Sequence, residues 1–167
     1  MRATGFIFLY LTTLFSSCDK LFPDEKLTLQ RRDYVGNELR TDGYYYSHWA
    51  SYNSLFDNNT AIMFFYRNGV VLNALSYDGI NLERIENEMV LYYDIIQKYK
   101  SGWGVFIIDK DIIMCEQWST SAGGGLPVYR RNGRIENETT FTFNNIHETW
   151  HFKQFSPKPD STNSFIK

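Results

Sequence analysis

The chain reads as an all-β domain, about eight antiparallel strands wound in a meander barrel with one amphipathic helix against it. Three observations predict this. From Thr41 onward, aromatic and β-branched residues come in short runs separated by turn signals, as antiparallel strands joined by tight connections require. Three of those separations, at Asn68-Gly69, Asp109-Lys110-Asp111 and Asn132-Gly133, have hairpin chemistry. One segment, Asn81 to Tyr99, abandons the strand period for spacings of three and four. Closure into a barrel removes the two edges that an open sheet of this size leaves unpaired; a two-sheet β-sandwich is the alternative.

In chain order, Gly43 to Ser47 is the first strand. Ala61 to Tyr66 and Val70 to Leu72 flank Asn68-Gly69, where a type I′ turn would place both central residues at positive φ. In the helix, Leu82, Ile85, Met89, Tyr92, Ile96 and Tyr99 fall on one face, Asn81 is the cap, and Gly102 offers a left-handed terminator. Val105 to Ile108 and Ile112 to Met114 form the hairpin about Asp109-Lys110-Asp111. Val128 to Arg131 precedes Asn132-Gly133, and Arg134-Ile135 with Thr139 to Phe143 follows it, the longer arm bulged. Thr149 to Phe155 is the last strand.

Ahead of the domain, Arg2, the apolar run Gly5 to Phe15 and the small residues Ser16-Ser17 have the parts of a secretory signal, and the run is too short to span a bilayer comfortably. With Cys18 placed directly after Ser16-Ser17, the segment resembles the lipobox of bacterial lipoproteins. That resemblance implies cleavage of residues 1–17, acylation of Cys18 and a palmitate-bearing membrane anchor. Asp19 beside the anchor is compatible with either membrane, and the wider likeness of the chain to lipoproteins of Gram-negative anaerobes implies the outer one. Residues 18–40 are charged and poor in aromatics, the composition of a tether; 41–156 is the β-barrel domain and 157–167 a tail.

Only Arg2 leaves with the signal, so 16 basic residues face 19 acidic ones in the mature chain. The basic residues are scattered, which argues against nucleic acid as a partner. The second cysteine, Cys115, lies in the apolar run Ile112 to Cys115 and has no thiol partner once Cys18 is acylated; it reads as a small buried hydrophobe.

The order of elements from Thr41 to Phe155 is similar to that of the calycin or lipocalin-like barrels, with Gly43-Tyr44-Tyr45 standing where lipocalins carry Gly-x-Trp. The resemblance implies an interior able to hold one small ligand. One catalytic pattern occurs, His147-Glu148-Thr149-Trp150-His151, matching the H-E-x-x-H of zinc hydrolases, where a helix brings both histidines to one metal and the glutamate acts as base. Here the segment alternates like a strand, so His147 and His151 share a face with Lys153 while Trp150 and Phe152 take the other. Gly123-Gly124-Gly125 lacks the Gly-Lys-Ser/Thr of a phosphate loop and reads as a flexible connection. Adjacent aromatics, Tyr44 to Tyr46 and Phe64 to Tyr66, must place rings outside the barrel as well as inside, and the outer rings need cover from the helix, a partner or a ligand.

The expectation is a non-enzymatic binding or accessory lipoprotein, anchored in the cell envelope through Cys18, that engages a small apolar ligand, a glycan or an envelope protein and uses no cofactor. The alternative is a zinc-dependent hydrolase built on His147, Glu148 and His151.

Overall fold

The computed structural model describes residues 23–49, 59–78, 81–122, 124–144 and 148–167. The signal, Cys18 and Asp19 lie outside the described residues, as do Gly123 and His147. Eight strands are present: β1 (Gly43–Trp49), β2 (Asn59–Phe65), β3 (Val70–Asp78), β4 (Trp103–Asp109), β5 (Ile112–Trp118), β6 (Val128–Asn137), β7 (Thr140–Phe143) and β8 (Glu148–Gln154). Each pairs antiparallel with the next, and β8 returns to β1 with Phe152 opposite Tyr45, so the sheet is a closed barrel and not a sandwich.

The turns differ from the sequence reading in two places. At Asn68-Gly69 only Gly69 has positive φ, at 77°. Tyr66 N donates to Val70 O and Gly69 N to Tyr66 O, so the loop is the three-residue kind that ends in a left-handed glycine. A side chain at Gly69 is also excluded by Arg32 O, which lies 2.0 Å from where a Cβ would stand. Asn132-Gly133 is no turn at all. Both residues lie inside β6, and the chain reverses at Asn137 to Thr139, where Asn137 Oδ1 accepts from Thr139 N at 2.9 Å. Gly133 is needed for approach: its missing Cβ would sit 2.4 Å from Thr142 O and 3.0 Å from the Phe143 ring. The β6–β7 pairing carries a register shift between Ile135 and Asn137, beside the actual turn and not in an arm of the expected one. At Asp109-Lys110-Asp111 the predicted hairpin holds, with Lys110 at φ 59°.

The helix α1 (Leu82–Ile96) crosses from β3 to β4. Asn81 caps it, its side chain accepting from Arg84 N at 3.1 Å. It ends at Gln97, not at Gly102, which instead bridges strands by donating from its N–H to Trp118 O. Ile85, Met89 and Ile96 are buried as predicted, whereas Tyr92 and Tyr99 stay outside.

The alternation of strand residues divides the apolar side chains into two cores. One fills the barrel: Tyr45, Met63, Phe65, Val71, Phe106, Ile113, Cys115, Ile135, Phe141, Phe143 and Trp150, drawn from all eight strands. The other lies outside the wall, where Tyr44, Ile62, Phe64, Tyr66, Leu72, Trp103 and Trp118 are roofed by α1 and by residues of both chain ends. Tyr44, Tyr45 and Tyr46 show the division within one strand: Tyr45 points inward, while the Tyr44 hydroxyl outside donates to Glu86 Oε1 at 2.7 Å.

The terminal segments belong to this fold. Residues 24–40, read as tether from their charge, run along the wall and close one barrel end. Glu116, a buried outward-facing carboxylate, accepts from Thr28 N, Thr28 Oγ1 and Leu29 N. Tyr34 and Leu39 then enter the inner core at the end that carries the β2–β3 and β6–β7 turns, with Tyr34 N bonded to Arg67 O and Arg40 N to Glu138 O. The tail is likewise fixed: Lys158 Nζ donates to Thr41 O and Phe65 O, and Phe165 and Ile166 pack on the outer core. Low aromatic content hid this docking, because it rests on hydrogen bonds and two buried side chains and not on a periodic face.

Candidate functional site

Inside the barrel the two halves differ in chemistry. Toward the plugged end the filling is dry and aromatic. Phe141 stacks on Trp150 with centroids 6.0 Å apart and meets Tyr45, Phe65 and Phe143 edge-on or tilted. Toward the other end the register replaces apolar side chains with Gln117 on β5, Arg131 on β6 and Glu148 on β8. Position 131 is inward because it stands directly opposite Cys115, and directly opposed residues share a face.

Arg131 is 5% exposed, a cation nearly absent from solvent. Aromatic faces surround it: its guanidinium carbon lies 4.4 Å from the Phe143 ring centroid, 5.4 Å from Tyr129 and 5.8 Å from Trp150. Its Nη2 donates to Gln117 Oε1. Its other partner is distant, since the nearest approach to the Glu148 carboxylate is 4.0 Å. Arg131 Nε is buried without a hydrogen bond, while the Trp150 indole N–H faces the Glu148 carboxylate without a well-formed one. Burial pushes the Glu148 carboxyl above its usual range, against the opposing pull of Arg131. Arg131 is itself shifted downward by burial, with Cys115 and Glu148 pulling the other way. The Cys115 thiol, pushed up to about 12 by burial, is inert and not a nucleophile.

A buried guanidinium donor with no acceptor, and a carboxylate too far from it to supply one, form a site short of one acceptor group. A buried donor left unpaired costs about 1–3 kcal/mol, so an entering oxygen has that much to recover.

The H-E-x-x-H segment falls in this same region, but its geometry serves another end. Glu148 to His151 is β8, so Glu148 faces the interior and His151 the outside, beside Tyr46 at 5.9 Å between ring centroids. A base and a ligand on opposite faces of a wall do not converge on one metal. Among the described residues no group of three His, Cys, Asp or Glu is placed to hold a metal ion. On the outer face His48 shares the Tyr46 ring and bonds Thr60 Oγ1 through Nδ1 at 2.8 Å; burial, then the nearby His151, lowers its proton affinity.

Sequence reasoning named Glu148, but as a metalloenzyme base, and missed Arg131 and Gln117. The signal for Arg131 was present: on β6 the residues Tyr129, Arg131, Gly133 and Ile135 alternate onto the face that Ile135 buries. Treating Asn132-Gly133 as a turn broke that alternation. Comparison of the chain with protein-family models, with curated proteins and with solved structures returns no match.

Proposed function

We propose that this protein is a lipid-anchored envelope protein whose barrel binds a small amphiphilic acid, the acidic group at Arg131 and the apolar part against Phe143, Trp150 and Tyr129. The observation that carries the reading is the buried Arg131 with an unpartnered Nε and an incomplete ion pair. A carboxylate gives such a fork two acceptors at once, and aromatic walls favour an apolar body. Glu148, raised by its burial, is a neutral donor to the bound acid when protonated, so binding tightens as pH falls through the Glu148 titration. No catalytic step is assigned. The lipoprotein part of the reading, with Cys18 acylated in the outer membrane, rests on Arg2, the run Gly5 to Phe15 and Ser16-Ser17-Cys18; the lipocalin-like part rests on the closed eight-stranded meander with its helix. The test is a thermal melt with octanoate and with octanol. Octanoate raises the midpoint in a concentration-dependent way and octanol does not; equal shifts, or none, refute the assignment of Arg131 as the anion site.

A further inference from the structure

Among the described residues eight large hydrophobic side chains are exposed, and five of them, Val90, Leu91, Tyr92, Ile95 and Tyr99, lie on α1 or just beyond it. Leu91 is 76% and Tyr99 62% exposed. Leu91, Ile95 and Tyr99 are four apart, so they form one stripe down the last turns, with Tyr92 on its border. The opposite flank of the helix is already occupied: Tyr93 OH donates to Pro157 O and Gln97 Nε2 to Asp160 O. A contiguous apolar stripe exposed on one flank of a helix marks an interaction surface.

The path of the chain says what covers it. Lys100, next to Tyr99, bonds Asp24 through its Nζ at 2.6 Å and lies over the Trp118 ring. Five residues separate Asp24 from Cys18. The six residue steps from Cys18 to Asp24 span no more than about 20 Å fully extended. If Cys18 carries acyl chains, the membrane surface lies within that reach of the end of the stripe. Tyrosine and leucine beside the exposed Lys98 form the mixture that settles at a headgroup boundary, rings inward and ammonium group at the phosphates.

We propose that the stripe Leu91, Ile95 and Tyr99 is a second membrane contact, resting on the surface of the bilayer that holds the Cys18 lipid and fixing the orientation of the barrel. The inference rests on the lipoprotein reading of Cys18. It turns the barrel end that holds Arg131 toward the bilayer, because Glu25, seven positions after Cys18, accepts from Val128 N at the start of β6 at 3.0 Å.

The test uses the full acylated chain in vesicles of phosphatidylethanolamine and phosphatidylglycerol with brominated acyl chains. Buried Cys115 does not compete for label, so Tyr99→Cys and, at the opposite barrel end, Lys110→Cys are each labelled with a fluorophore. Both positions are exposed, and neither change touches a core. The label at 99 loses most of its emission and the label at 110 keeps it; Leu91→Glu/Ile95→Glu restores emission at 99 with the melting midpoint unchanged. Equal emission at both positions in protein that floats with the vesicles overturns the second contact alone. An unacylated Cys18 by mass, or protein that fails to float, overturns the lipoprotein reading and the contact with it.

Discussion

The two halves of the barrel interior are built by the same strands and obey opposite rules. Toward the Tyr34 plug the buried inward side chains are apolar and their rings meet one another; at the Arg131 end the same alternation delivers Gln117, Arg131 and Glu148. Stability lives in the first half, because close-packed aromatics in a closed wall recover dispersion and hydrophobic burial. The second half forgoes that gain and keeps a buried cation whose donors are not all satisfied. A fold that only needed to be stable would have an apolar residue at 131, and the difference points to a site.

Substitutions in the two halves have opposite consequences. Phe141→Ala opens a cavity among Tyr45, Phe65, Phe143 and Trp150 and costs about 3–5 kcal/mol, read as a lowered urea midpoint.

Lys158 extends the comparison to the tail. Burial lowers its folded-state proton affinity from 10.5 to about 8. Below about 8 both states hold the proton and the cost of burying the charge is constant. Between about 8 and 10.5 the unfolded chain holds a proton that the native chain has released, so stability rises with pH across that window, by on the order of 3 kcal/mol in total. Lys158→Met abolishes this rise in denaturant titrations taken at successive pH values.

Glu116→Gln weakens the anchor of residues 28 and 29. Its cost is about 1–3 kcal/mol, with faster hydrogen exchange at the Thr28 and Leu29 amides than at β4 and β5.

Smallest is the double change Arg131→Met/Glu148→Met. Removing both members of a poorly made buried pair changes stability by less than about 1 kcal/mol or raises it. A large loss of stability here would make the pair structural and dissolve the contrast.

How much of this was legible in the sequence follows the same division. The strands were readable because their faces are pure: Phe64 and Phe65, or Ile112 and Ile113, declare a wall with apolar side chains on it. The helix was readable from Ile85, Met89 and Ile96, while Tyr92 and Tyr99 shared its period without its burial, because sequence period does not say which flank a neighbour covers. The closing segment was illegible, since Tyr34 and Leu39 are single buried residues in a charged stretch. The site was obscured by one turn. An Asn-Gly pair has hairpin chemistry wherever it stands, and only the tertiary approach of Thr142 and Phe143 to Gly133 shows that this glycine is there for space. Once the turn moves to Asn137, Arg131 falls inside the barrel beside Glu148 and Trp150.

The central claim is tested most directly by calorimetric titration of octanoate into the wild-type chain and into Arg131→Met/Glu148→Met. The account predicts saturable one-to-one binding to the wild type and an affinity at least about tenfold weaker in the double variant, the loss of one charge-assisted contact. Equal affinity in the two proteins, or no saturable binding to the folded wild type, contradicts it.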